Sequence, residues 1–387
     1  MKVNSMSEII ADVNQSTSFK VYFSEGIFNL ENSLIKDYCK QKKCCVVISE
    51  TVNKLFRNEI EGYFSSHITN FKIIVIKTTE LNKNMDNVLE ICSKGKEFGL
   101  DRKSLFVAIG GGILLDIVGF AASMFKRRLD YLRIPTTLLG QVDAGVGIKT
   151  GVNFAGTKNY IGSFHPAIAT FNDINLLKTL PEDQFLCGIG EIIKMAIICD
   201  QYLFDLVKKN HVELLEGKYQ NNLFVSNKIN YISVQQMLDH LNGNFYEDNL
   251  ERLVDFGHTF SPFIEEYSNY RINHGKAVVM DIAISTEISY LMGRINETDR
   301  NNILSTLLSI GYEIFNAETF IPELMYKSLD IVIQHRGNDL NLVIPLSIGE
   351  ASFVKKPEQL PLQLLASAMN NLQIYQSAFN AKRSIEV

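Results

Sequence analysis

Two histidines, His258 and His274, fall in one stretch, LERLVDFGHTFSPFIEEYSNYRINHGK, each beside a glycine, Gly257 and Gly275. A neutral imidazole is the commonest protein metal ligand. Two imidazoles and one carboxylate make a site that keeps a coordination position open for a substrate. Glu191, in GIGEIIKMA, is the candidate third ligand. It stands three residues before Lys194, so the two share a helix face, and Ile189, Ile192, Ile193, Met195, Ala196 and Ile197 around them are apolar. Charged groups buried in such a helix need partners; a metal for Glu191 and a phosphate for Lys194 would supply them. Alone, the two histidines also read as polar residues at helix ends, and the other motifs have to decide.

Gly110–Gly111–Gly112 lies between a strand-like run and a helical one, with Asp116 one turn into the helix. Glycines there let backbone amides approach a pyrophosphate at a helix N-terminus, although the pattern is neither GxGxxG nor a Walker loop. The stretch PTTLLGQVDAGVGIKTGVNFAGTKNY follows. Thr136 and Thr137 can hydrogen-bond a cofactor ribose or amide. Asp143, Lys149, Lys158 and Asn159 are polar groups in glycine-rich loops, where binding residues concentrate and where solvated loop residues are also found. Arg127, in FKRRLDYLRIP, is a candidate anion clamp or one more charge at a turn.

Elements able to position these groups follow from periodicity. Runs at 18–24, 45–49, 71–77, 105–109 and 131–134 read as strands, with helices at 52–64, 85–99 and 113–124 between them. This alternation predicts a Rossmann-like α/β domain with a mostly parallel sheet over residues 1–175. From Leu176 the helical period dominates, at 181–199, 201–216, 221–241, 249–268, 275–293, 297–310, 321–335 and 358–379, with one clear β-like run at 341–345. Residues 176–387 are therefore expected to form a mainly α-helical domain, with the site between the two.

The length of 387 residues fits two domains. A formal net charge of −5 gives no basic footprint for nucleic acid. No apolar run would span a bilayer, and residues 1–15 lack the apolar core and cleavage site of an export signal; a cytoplasmic protein is expected. The six cysteines form no CxxC pair and are expected to be free, structural thiols, with Cys44 and Cys45 acting as small buried hydrophobes.

Five blocks occur in order: AIGGGILLDIVGFAAS; RIPTTLLGQVDAGVGIKTGVN with GTKNYIGSFHP; LKTLP with GIGEIIKMA; DFGHTFSPFIE; and NHGKAV. In this order they resemble the sugar phosphate cyclases, the 3-dehydroquinate synthase superfamily, over about residues 45–350. The resemblance implies a dehydroquinate synthase-like fold and an NAD-dependent lyase with a divalent metal, zinc or cobalt, on Glu191, His258 and His274. It implies dinucleotide contacts at Glu80, Lys83, Gly111, Gly112, Asp116, Thr136, Thr137, Lys158 and Thr179, and substrate or phosphate contacts at Arg127, Asp143, Lys149, Asn159 and Lys194. It also implies a homodimer in which Arg127 reaches the partner's active site. Transient oxidation, phosphate elimination, reduction, ring opening and aldol closure would follow.

The chain departs from dehydroquinate synthases where it has Glu251 and Asp255 in place of an Arg-x-x-x-Asn run, Pro262 in place of a second histidine, and neutral residues at Met237 and within Pro345–Leu346–Ser347. These departures look like the sedoheptulose 7-phosphate cyclases, and DFGHTFSP is similar to the 2-epi-5-epi-valiolone synthases, which make a C7 cyclitol. Synthases of 2-epi-valiolone and demethyl-4-deoxygadusol, and a dehydroquinate synthase, remain alternatives. A metal-dependent polyol dehydrogenase would be the reading from another class. Glu251 and Asp255 are expected to disfavour a substrate carboxylate, unless Glu251 points to solvent and Asp255 only orients the metal site.

Overall fold

The computed structural model describes residues 18–386; the reading of residues 1–15 as lacking an export signal lies outside them. The N-terminal domain runs β1 (Lys20–Ser24), α1 (Leu34–Cys39), β2 (Cys44–Ser49), α2 (Glu50–His67), β3 (Phe71–Ile76), α3 (Met85–Glu97), β4 (Leu105–Gly110), α4 (Gly112–Met124) and β5 (Tyr131–Pro135). Then come a hairpin of β6 (Lys149–Phe154) and β7 (Thr157–Phe164), and β8 (Ala169–Asp173).

Six of these strands form one parallel sheet in the order β1-β8-β5-β4-β2-β3. Every residue of β2, β4, β5 and β8 is buried, as both faces of a helix-covered parallel sheet require. The chain leaves β2 for β3 on one side and β4 continues toward β5 on the other. The crevice outside the carboxyl ends of strands at such a switch point is where ligands bind in open α/β sheets, and Gly110–Gly112 stands there.

The C-terminal domain runs α5 (Glu182–Cys199), α6 (Gln201–Glu216), α7 (Leu223–Leu241), α8 (Ser261–Tyr267), α9 (His274–Leu291), α10 (Glu297–Ile310), α11 (Pro322–His335), the hairpin β9 (Leu342–Ser347) and β10 (Glu350–Val354), and α12 (Leu362–Glu386). Helix α9 packs against α5, α8, α10, α12 and β9 and is buried from Ala277 to Ser289. A helix surrounded on all sides must satisfy its polar groups internally. Glu287 is held by Arg300 and Asn371, Ser289 donates to the Pro345 carbonyl, and Asp281 serves the loop described below.

Two expectations change. The helix expected at 249–268 is an extended loop with a single 3-10 turn at Leu253–Asp255, followed by the short α8. Gly257 there has φ +74°, a left-handed conformation that ends a helix, and Pro262 sits in the first turn of α8, where its missing N–H costs nothing. The apolar spacing comes instead from Val254, Phe256 and Phe260, loop side chains buried in the helical core. The glycine-rich stretch after Pro135 is not all loop: its second half is the β6–β7 hairpin. All six cysteines are free, Cys44 and Cys45 buried in β2. Among the described residues no helix is long and apolar enough to cross a membrane.

Candidate active site

Glu191 sits in mid-α5 and His274 is the first residue of α9. Their helices meet where glycines remove the intervening side chains. A Cβ on Gly275 would lie 2.3 Å from Cys187 Cα, and one on Gly190 would lie 2.9 Å from the Gly275 carbonyl oxygen. His258 arrives on the loop before α8, which α9 also holds. Asp281 Oδ2 accepts the amides of Thr259, Phe260 and Ser261 at 2.7, 2.5 and 3.0 Å. Arg336 braces the same loop, donating to Thr259 Oγ1 at 3.0 Å and to the Leu340 carbonyl at 2.9 Å.

One ligand atom from each of Glu191, His258 and His274 lies within 4.8 Å of the others. Nε2 of His258 and of His274 stand 3.7 and 3.3 Å from Glu191 Oε1. Both Glu191 oxygens are buried and neither accepts a hydrogen bond of good geometry; Lys194 Nζ is an ion-pair partner 2.6 Å from Oε2. A buried carboxylate with unused lone pairs facing two imidazole nitrogens fits a divalent cation. Nδ1 of His258 bonds the Phe256 carbonyl at 2.9 Å, and Nδ1 of His274 bonds Glu265 Oε1 at 3.0 Å, so both rings turn Nε2 inward.

Burial holds His258 below the usual imidazole range, the neutral form a metal needs. Burial also pulls His274 down, but its bonds to Glu191 and Glu265 outweigh this and raise it to about 10. Glu265, despite burial, is lowered to about 2 by His274 and Lys158. Asp143 is raised by burial and by the Glu191 charge. Lys194, opposed by burial, is raised by Glu191 and Asp143 and stays charged.

A cleft of about 590 Å³ opens over this cluster. Asp116, Asp143, Lys149, Asn159, Lys194, Asp255, His258 and His274 all line it. Asp143 comes from a π-helical turn, Gly140–Ala144, stitched to the sheet by buried polar groups. Gln141 bonds the Pro135 and Asp173 carbonyls, Thr170 bonds Gly145, and Arg133 Nη1 donates to the Gly147 carbonyl at 2.6 Å. Lys83 is buried beneath the cleft, its Nζ 2.5 Å from both Asp116 Oδ2 and Asn159 Oδ1. Glu80 Oε1 accepts from Asn153 at 2.8 Å, which ties the Glu80–Lys83 turn to β6.

Gly111 caps α4 without a side-chain bond, leaving the first amides of a 13-residue helix free for an anion. A Cβ on Gly111 would meet Thr137 Cγ2 at 3.0 Å and one on Gly112 would meet Ala144 Cβ at 3.2 Å, so a side chain at either position would press on the cradle wall. Thr136 is buried, and Thr137 Oγ1 accepts the Gly140 amide at 3.0 Å.

Other expected residues stand apart. Glu251 does not line the cleft: it is exposed and pairs with Lys355 at 2.7 Å. The expectation that it faces a substrate is corrected, because the loop that replaces the expected helix turns it outward. Asp255 does line the cleft, but Arg252, unremarked in the sequence, reaches it at 3.0 Å. Glu247, also unremarked, joins the group by pairing with both Arg252 and Lys149. Lys158 turns to Glu265 at 2.8 Å. Thr179 lies exposed on the turn before α5, and Arg127 is exposed on a turn where Lys126, Arg127 and Arg128 all have positive φ. Of the groups the sequence did not single out, Asp281 had a faint signal, a charge among apolar neighbours; Glu265 and Arg336 sit in polar stretches and had none.

Residues 73–187 match the 3-dehydroquinate synthase N-terminal family and 188–330 the 3-dehydroquinate synthase C-terminal family. A 2-epi-5-epi-valiolone synthase of Streptomyces glaucescens is 38% identical over 358 residues, 92% of each chain. A demethyl-4-deoxygadusol synthase of Trichormus variabilis is 31% identical, covering 88% of this chain and 84% of that one. Among solved structures, 2-epi-5-epi-valiolone synthase of Streptomyces hygroscopicus subsp. jinggangensis, with NAD+ and Zn2+ bound, superposes with a TM-score of 0.89 at 33% identity, over 94% of this chain and 99% of that one.

Proposed function

Because the chain belongs to the 3-dehydroquinate synthase family of sugar phosphate cyclases, phosphate-eliminating lyases, we propose that it converts sedoheptulose 7-phosphate to 2-epi-5-epi-valiolone with NAD and a divalent ion, zinc or cobalt. The observation that carries this reading is the convergence of Glu191, His258 and His274 beneath a cleft that also holds Lys149, Lys194, Asp143 and Asn159. The similarity to 2-epi-5-epi-valiolone synthases supports the choice of product. The similar demethyl-4-deoxygadusol synthase keeps a second C7 cyclitol as the alternative. The polyol dehydrogenase reading is set aside by the family.

Glu191, His258 and His274 hold the ion, and Gly111, Gly112, Asp116, Thr136, Thr137, Glu80 and Lys83 form the dinucleotide side. When bound, NAD supplies a reversible hydride acceptor and the ion polarises substrate oxygens. Lys194 and Lys149 bring positive charge to the phosphate, where charge develops as it leaves, and Asn159 adds a neutral amide. Asp143 stands where it can take or hold a substrate proton. Met237 gives the cleft an apolar wall, and Asp255 offers an acceptor to a hydroxyl where a dehydroquinate precursor carries a carboxylate. Arg127, exposed and outside the residues that line the cleft, is accounted for by a homodimer in which it reaches the partner's cleft.

The test is direct. Purified protein with NAD and zinc or cobalt should release phosphate from sedoheptulose 7-phosphate and yield one C7 cyclitol, identified by NMR. Release from the dehydroquinate precursor at an equal or higher rate would overturn the substrate assignment.

A further inference from the structure

We propose that Glu265 and Lys158 are a positioning pair for His274, making metal affinity depend on a side chain that the N-terminal domain delivers. The inference rests on the metal reading of Glu191, His258 and His274. A ligating imidazole needs its second ring nitrogen held, because that bond fixes the tautomer, the ring plane and the basicity of the ligand. The two imidazoles here are held differently. His258 has a backbone carbonyl, that of Phe256, at 2.9 Å, whereas His274 has the Glu265 carboxylate at 3.0 Å. Glu265 therefore makes His274 the more basic ligand.

The second oxygen of Glu265 accepts from Lys158 Nζ at 2.8 Å, and the same ammonium lies 4.5 Å from the centre of the Tyr270 ring. Glu265 is 6% exposed, so imidazole on one oxygen and ammonium on the other fix its rotamer. Lys158 comes from β7, across the cleft from α8. Its neighbour Asn159 has φ +51° and takes the Lys83 ammonium on its Oδ1. Adjacent residues of one hairpin thus tie to opposite sides, Asn159 to the Asp116 side and Lys158 to the metal side. The family pattern implies a dinucleotide contact for Lys158; in the structure its ammonium also meets the carboxylate behind His274.

The experiment measures the zinc dissociation constant of the full chain by competition with a chromophoric chelator, and NAD affinity by calorimetry, for wild type, Glu265→Gln, Lys158→Met, Lys158→Arg and His274→Ala. Glu265→Gln should weaken zinc binding by about 10- to 100-fold with NAD affinity within about twofold, and Lys158→Met should weaken zinc binding by roughly tenfold, with Lys158→Arg close to wild type. Wild-type zinc affinity in both Glu265→Gln and Lys158→Met, with His274→Ala impaired, overturns the proposal. So does a Lys158→Met protein that loses NAD and keeps zinc. If wild type and His274→Ala bind zinc equally, the metal reading itself has failed and this proposal fails with it.

Discussion

At the scale of single residues, the cleft is a set of charges whose partners decide their meaning. His258 gives one of three ligand atoms from a loop that Asp281 and Arg336 hold in place, so its ring can be removed without disturbing the core. His258→Ala is expected to lose metal and turnover while keeping its melting temperature within a few degrees, checked by metal analysis and thermal unfolding. Asp255 carries the argument for substrate choice now that Glu251 is seen to face solvent. A substrate carboxylate about 4 Å from an unpaired Asp255, at an effective dielectric near 20, would be opposed by roughly 4 kcal/mol. Arg252 offsets much of that at 3.0 Å, leaving a preference for the uncharged C7 sugar on the order of tenfold to a hundredfold. Arg252→Met should widen this preference, read as the ratio of kcat/KM for the two substrates; an unchanged ratio would show that Asp255 does not meet that end of the substrate.

Among the elements, α5 and α9 matter most, because the metal ligands depend on how closely they cross. Gly275 lies directly after His274, and its missing Cβ is the space that the Cys187 backbone fills. Gly275→Ala must push α9 away from α5 and separate His274 from Glu191. The expected cost is about 1–3 kcal/mol of stability, typical of overpacking, together with weakened zinc binding; denaturant unfolding and metal titration check the two parts separately. Helix α9 also explains why the C-terminal domain tolerates so many polar residues in its centre. Asp281, Ser285, Glu287 and Ser289 are each met by a partner from another segment or from α9 itself, and Asp281 uses its partners to set the His258 loop.

For the whole molecule, a site shared by two domains makes the reaction depend on both at once. In the proposed cycle oxidation and reduction cancel and leave no net NADH. Many turnovers of phosphate release should therefore occur on substoichiometric NAD, with no rise at the NADH absorbance band matching product; a stoichiometric rise would mark a dehydrogenase. The partner role proposed for Arg127 belongs here too. Light scattering should give a dimer mass, and Arg127→Ala should lower activity without dissociating it; a monomer active at every dilution would remove that role.

The sequence alone determined the parallel sheet, because β2 and β4 are almost continuous apolar runs, alternating with helices, whose burial on both faces leaves few other folds open. The ordered blocks named the family and with it the candidate triad, because the two glycine-flanked histidines alone also read as polar residues at helix ends; folding brings one ligand atom from each of Glu191, His258 and His274 within 4.8 Å of the others. The β6–β7 hairpin and β8 escaped notice because glycine and polar residues hide strand alternation. The helix expected at 249–268 failed because buried loop residues mimicked its period. Only the tertiary structure decided which charges meet. Glu251 turns to Lys355, Arg252 to Asp255, Lys158 to Glu265 and Asp281 to the His258 loop, all through contacts made by folding that spacing along the chain does not encode, except for the local Arg252–Asp255 pair. Electrostatic partnership falls off within a few ångströms of separation in space, and neighbours at that range come mostly from other elements.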